Sequence, residues 1–130
     1  MKDDKQKLIV IGGPTASGKS SLAVKLAQHF DGEVVNADSM QVYRHMDVGT
    51  AKPSVEEKEG IAHHLLDVVD PDEDFNAAIY RTMAVRQLKE IASRKKLCFI
   101  VGGTGLYIKT LLGGITVSYT HLTLPTTPYV

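Results

Sequence analysis

Gly13 and Gly18 bracket four residues and are followed at once by Lys19 and Ser20. The full run is Gly13, Pro14, Thr15, Ala16, Ser17, Gly18, Lys19, Ser20. It fits the eight-residue pattern of a loop that cradles a diphosphate or triphosphate. Glycine lets the backbone turn tightly and approach an anion, so that several N–H groups point inward. A helix starting near Lys19 adds its positive end. In that pattern Lys19 contacts the terminal phosphate oxygens, and the Ser20 hydroxyl is placed to ligate Mg²⁺. The next residue with chemistry to offer is Asp38. An ATPase would show its magnesium-binding aspartate at the end of an apolar strand. The apolar run 97–101 ends instead in Gly102, Gly103 and Thr104. Two chemistries suit Asp38, proton acceptance and magnesium ligation; a turn or cap aspartate is the plain alternative. Thr104 suits a hydrogen bond to a phosphate or a second substrate. It also suits the N-cap of a following helix, and the two roles are compatible.

These residues need a frame. Residues 7–12 are a short β-branched run ended by glycine, as in a buried strand. Residues 19–29 follow as a helix, with Leu22, Ala23, Leu26, Ala27 and Phe30 as its apolar stripe and Asp31 with Gly32 as its stop. Residues 33–37 make a second strand that delivers Asp38 and Ser39 at its end. Residues 40–53 have neither period and predict a long functional loop. Residues 62–69 are mixed, with room for a short strand, and 71–74 break it. A long helix is expected over 76–93, capped by Asn76, with Tyr80, Ala84, Leu88 and Ile91 on one face. Residues 97–101 are a third strand, and Gly102 to Gly105 open a short helix that ends near Gly113 and Gly114. The order is α/β: a parallel sheet flanked by helices. In such sheets the strand ends and a phosphate loop share one edge, so Asp38 and Thr104 should both approach the phosphate site.

Composition adds bounds. The chain has 130 residues, enough for one domain, and 43% of them are hydrophobic. Fifteen basic residues balance fifteen acidic ones, so net charge makes no case for nucleic acid or membrane. Arg81, Arg86, Lys89, Arg94, Lys95 and Lys96 crowd together, which reads as a solvated helix face and its C-terminal cap. The single cysteine, Cys98, lies in an apolar run and is expected in the core. No apolar run reaches the roughly 18 residues of a membrane span, and no signal peptide is visible, so the cytoplasm is the expected compartment. The tail 117–130 departs in composition, being rich in threonine and proline with His121 as its one titratable imidazole. A mobile linker or edge strand is one reading; the preferred one is a foreign end on a truncated gene product, because the stretch resembles translated sequencing-adapter DNA. The division expected is a P-loop α/β domain over 1–116 and a non-native or disordered tail over 117–130.

Five motifs in order resemble one family. They are the phosphate loop at 13–20, Asp-Ser-Met-Gln-Val-Tyr-Arg at 38–44, Met-Asp-Val-Gly-Thr-Ala-Lys-Pro at 46–53, His-His-Leu-Leu-Asp-Val-Val-Asp-Pro at 63–71 and Val-Gly-Gly-Thr-Gly-Leu-Tyr at 101–107. Together they resemble the N-terminal part of bacterial tRNA dimethylallyltransferases, over residues 7–115. The resemblance implies a P-loop NTPase-like fold, truncated relative to the family. It also implies transfer of a dimethylallyl group from dimethylallyl diphosphate to N6 of the adenosine 3′-adjacent to the tRNA anticodon. The phosphate loop then holds the leaving diphosphate, with Mg²⁺ on Ser20. Asp38 matches the general base, and Lys19 neutralises charge on the departing group. Asp38, Ser39, Met40, Gln41 and Thr104 match positions that contact tRNA. The family's chain continues well beyond this length, is expected to act as a monomer, and carries further RNA and diphosphate contacts. On that resemblance this chain alone is expected to be inactive.

Other residues carry less. Tyr43 and Arg44 suit RNA contact or plain packing, and Thr50 and Lys52 suit the border of an allyl pocket. His63 and His64 are adjacent with no ligand spacing to complete a metal site, and read as structural. Two other enzymes would use the same loop: a small-molecule kinase binding ATP, and an adenylate isopentenyltransferase. A nucleotide switch would need a guanine-reading motif and an Asp-x-x-Gly that are not visible.

Overall fold

The computed structural model describes residues 6–12, 18–44, 52–113 and 117–123. Five strands form one sheet: β1 (Gln6–Gly12), β2 (Gly32–Asn36), β3 (His63–His64), β4 (Leu97–Gly102) and β5 (Val117–Thr123). Four helices connect them: α1 (Lys19–Phe30), α2 (Val55–Lys58), α3 (Ala77–Ser93) and α4 (Gly105–Gly113). The sheet order is β3-β2-β4-β1-β5, and every pairing is parallel. Gly12 pairs with Gly102 and Asn36 with Val101, so the C-terminal ends of β1, β4 and β2 lie along one edge.

The strands alternate between two apolar layers, as a period of two requires. Leu8, Val10, Val35, Ala37, Cys98 and Ile100 pack against Tyr80, Ala84, Leu88 and Ile91 of α3 and against α4. Ile11, Val34, Phe99 and Val101 face the other way, onto Ala23 and Ala27 of α1. Each fully buried large side chain in these layers contributes about 1.5–3 kcal/mol. Both faces of the sheet are therefore covered, which is why its strands read as near-continuous apolar runs. Cys98 is fully buried, and that burial pushes its thiol above the ordinary range, so it is a core residue.

Helix ends follow local chemistry. The Asn76 side chain accepts the Ile79 amide at 2.9 Å and starts α3 where expected. Asp31 ends α1 at φ 55°. Phe30, expected on the buried stripe, is 52% exposed, because it is the last residue before that left-handed turn. The loop expected over 40–53 is followed by α2, whose short turn is held by a capping box between Ser54 and Glu57. Within 62–69 the strand is two residues long, with one further bridge between Tyr43 and Val69. Residues 117–123 form β5, an edge strand running from the Gln6↔Val117 pair to the Gly12↔Thr123 pair. An edge strand is one of the forms that the composition of the tail allows. Val117, Tyr119, Thr120 and Thr123 are residue types that favour extended backbone. No described helix is long and apolar enough to cross a membrane.

Candidate active site at the sheet edge

Of the phosphate loop, Gly13, Pro14, Thr15, Ala16 and Ser17 lie outside the described residues; Gly18, Lys19 and Ser20 lie within them. Gly18 is the N-cap of α1 at φ 89°, a conformation that favours glycine, and it has no side chain with which to cap the helix. The first amides of a helix have no partner within it. Lys19 is 6% exposed. Burial lowers its pKa, and the nearby Asp38 carboxylate opposes that shift. A desolvated ammonium at a helix N-terminus is a site that an anion relieves.

Asp38 follows the end of β2 and is 8% exposed. Its Oδ1 accepts the Met40 amide at 2.9 Å and the Gln41 amide at 3.4 Å. Among the described residues Oδ2 has no hydrogen-bond donor, which leaves it as the oxygen able to take a proton. The Thr104 hydroxyl accepts the Ser39 amide at 2.9 Å, so it braces the Asp38 turn. The Thr104 amide donates to Ala37 O at 3.2 Å, and the Thr104 carbonyl accepts from Tyr107 and Ile108 as α4 begins. Thr104 thus stands at the start of α4, as its helix-start reading expected, and in addition holds the chain just past β2, a role its type did not suggest. Gly102 makes this approach possible: a Cβ there would lie 2.3 Å from the carbonyl carbon and oxygen of Ala37.

The sheet edge therefore brings Lys19, Asp38, Ser39 and Thr104 together. A small open cleft at Lys19 is lined by Ser20, Asn36, Gln41, His63 and Gly102 among others. Met40 is 45% exposed, whereas Gln41 is buried at the cleft wall. The His63 ring donates from Nδ1 to the Ile61 carbonyl at 2.9 Å. Burial, with Lys58 and His64 adding repulsion against that bond, lowers its pKa. Asn36 and His63 were not singled out for this cleft by their motifs. An asparagine at the end of a β-branched run, two residues before an aspartate, is the signal that would have marked the first.

Several sequence candidates are occupied elsewhere. Arg44 pairs with Asp70 at 2.9 Å, and Tyr43 packs edge-on to Phe75. The Lys52 ammonium binds Asp67 and the Tyr43 carbonyl. Thr50 lies outside the described residues. His64 donates to Glu33, which also takes both arms of Arg94 at 2.7 and 2.8 Å. Lys96 pairs with Asp31. At the end of the basic cluster, Arg94 thus ties the end of α3 to β2, and Lys96 ties the segment after α3 to the end of α1. No group of three or more His, Cys, Asp or Glu able to hold a metal occurs among the described residues.

The IPP transferase family model matches residues 41–127, a span that includes β5. The tRNA dimethylallyltransferase of Geobacter sulfurreducens is 63% identical over 114 residues, which cover 88% of this chain and 37% of that protein. The tRNA dimethylallyltransferase 2 of Geotalea uraniireducens is 60% identical over 113 residues, covering 87% and 36%. The full-length tRNA isopentenylpyrophosphate transferase of Bacillus halodurans superposes with a TM-score of 0.82 at 48% identity, over 86% of this chain and 37% of that one. A eukaryotic dimethylallyltransferase captured acting on tRNA gives 0.80 at 41% identity, over 85% and 28%. This chain thus spans a little over a third of the length of its curated relatives. The match over most of its length and the shared fold lead to one assignment: the chain belongs to the IPP transferase family.

Proposed function

We propose that this chain forms the donor-binding and acceptor-activating part of a tRNA dimethylallyltransferase. The observation that carries the reading is a desolvated Lys19 ammonium at a helix N-terminus near the Asp38 carboxylate, whose second oxygen has no hydrogen-bond donor among the described residues. The loop amides and Lys19 hold the diphosphate of dimethylallyl diphosphate. As the bond between the allylic carbon and the diphosphate oxygen breaks, the departing group carries away the electron pair, and Lys19 offsets the growing charge. The exocyclic N6 of the adenosine beside the anticodon bonds to the allylic carbon and becomes cationic. Asp38 Oδ2 accepts its proton, which leaves a neutral secondary amine. The adenosine must leave its stack to reach this edge. Ser39 and Met40, on the turn that Thr104 braces, then contact it in this reading.

Magnesium suits the donor set. Ser20 brings one neutral oxygen into a cleft that it shares with Lys19, Asn36 and Gln41. Mg²⁺ commonly takes one or two protein ligands and completes its shell with phosphate oxygens and water. When bound, the ion supplies further charge neutralisation to the diphosphate. Action on tRNA fits a cytoplasmic location.

Calorimetry on the purified chain with Mg²⁺ tests the donor, comparing dimethylallyl diphosphate with ATP. The expected result is preference for the allyl diphosphate, with a loss of about 30-fold or more in Lys19→Ala, since a charge-assisted contact in a desolvated site is removed. Preference for ATP would replace this reading with a kinase.

A further inference from the structure

We infer that Asn36 is a positioning residue for Asp38, an assignment that rests on the transferase reading above. Asn36 is the last residue of β2, opposite Val101 in register, and is 4% exposed. Its Nδ2 donates to Asp38 O at 3.1 Å and to Leu65 O at 3.0 Å, while its Oδ1 accepts the Asp38 amide at 3.2 Å. The amide orientation follows from the partners. A flipped side chain would set its oxygen against two carbonyls and its NH₂ against an N–H.

One buried side chain therefore grips the backbone of residue 38 by both its polar groups. The same side chain ties that backbone to Leu65, which sits at φ 67° on the segment after β3. From the opposite side Thr104 holds Ser39, and the Ala37 amide donates to Val101 O at 2.8 Å. Asp38 is fixed between these two anchors, and its Oδ1 then falls on the Met40 and Gln41 amides. An apolar residue at 36 would suit the surrounding layer, because Val34, Val101 and Ala23 line the same cleft wall. A buried amide costs free energy unless its capacity is met. Here both donors and one acceptor site are spent on holding Asp38 and the strand beside it.

Two readouts test the assignment on Asn36→Leu and Asn36→Ser. The first is residue-resolved amide exchange on this chain. In Asn36→Leu the Asp38 and Ser39 amides should exchange at least about tenfold faster, while the amides of 98–101 in β4 stay protected. The second is allyl transfer in the enzyme of full family length carrying the same substitution. There kcat should fall about 30-fold or more with KM for dimethylallyl diphosphate within about threefold, since only the geometry of the base is lost. Serine keeps an acceptor for the amide two residues on and loses the reach to Leu65. Asn36→Ser should therefore recover part of kcat and show the intermediate exchange rate, and it serves alone where the leucine variant does not fold. Unchanged exchange at 38 and 39, or a KM that rises in step with the loss of kcat, overturns the assignment. Absence of transfer in the unsubstituted enzyme would instead refute the transferase reading, and the exchange result would still decide whether Asn36 clamps Asp38.

Discussion

Gly102→Ala should damage both stability and catalysis through one contact. The added Cβ would lie 2.3 Å from the carbonyl carbon and oxygen of Ala37 and 2.8 Å from its Cα. Carbon atoms pack comfortably at about 3.5–4.0 Å, so the end of β2 must move off β4 by about 1 Å. The clash is with backbone, which has no rotamer to escape into. Two hydrogen bonds span this gap, Ala37 N to Val101 O at 2.8 Å and Thr104 N to Ala37 O at 3.2 Å. Losing both costs about 2 kcal/mol, and forcing the methyl into a packed site adds about 1–3 kcal/mol. The expected destabilisation is about 3–5 kcal/mol. Equilibrium urea unfolding measures it, with Gly113→Ala as the control, because nothing lies within 4 Å of a Cβ at that position. Since Asp38 is the next residue after Ala37, the same displacement should cost about 100-fold in allyl transfer in the full-length enzyme. A loss of less than about 1 kcal/mol would refute the argument, because the strand ends would then be loose enough to part freely.

Two other perturbations follow from buried polar groups. Hydrogen bonds from Arg94, opposed by burial and helped by His64, hold the Glu33 carboxyl at about 2 against an ordinary 4.5. A depressed carboxyl contributes stability above 4.5 that is lost as pH falls from there through about 2, so Glu33→Gln should flatten the stability profile across that window and cost about 1–2 kcal/mol at neutral pH, a figure discounted because Arg94 is half in solvent. Unfolding midpoints at pH 3 and pH 7 check it; equal losses at both would contradict the linkage. The Tyr80 hydroxyl is buried without a hydrogen-bond partner among the described residues, while its ring stacks on Tyr107 at 4.6 Å. Tyr80→Phe keeps the ring and removes the orphaned group, so thermal unfolding should show unchanged or higher stability, by up to about 1 kcal/mol. A clear loss would mean that the hydroxyl has a partner.

What could be read from the chain was what is local. The period of α3 named Tyr80, Ala84, Leu88 and Ile91, and all four are buried. Asn76 and Asp31 marked helix ends because capping uses neighbours within one turn. The short α2 was equally local, written in Ser54 and Glu57, and its capping box went unread. The sheet order was not legible, because β2 beside β4 pairs residues 65 apart in sequence, as Gly32 does with Leu97. The length of β3 was hidden for a similar reason: two residues carry no period.

The site divides along the same line. Residue types announced an anion at Lys19 and a base at Asp38, because those chemistries need an ammonium and a carboxylate wherever they occur. The groups that hold the Asp38 turn come from far away. Thr104 reaches Ser39 across 65 residues, and Asn36 reaches Leu65 across 29. A turn carrying a base is useful only if its backbone is held while its carboxylate stays partly open. Here the Asp38 turn is held by a main-chain bond from β4, by Thr104 after it and by Asn36 tied to the segment after β3. The type of Thr104 suggested a ligand contact rather than this brace, and Asn36 carries no reacting atom, so no motif required by the chemistry alone would name it as an anchor. Both become visible once the buried polar atoms around Asp38 are each assigned a partner.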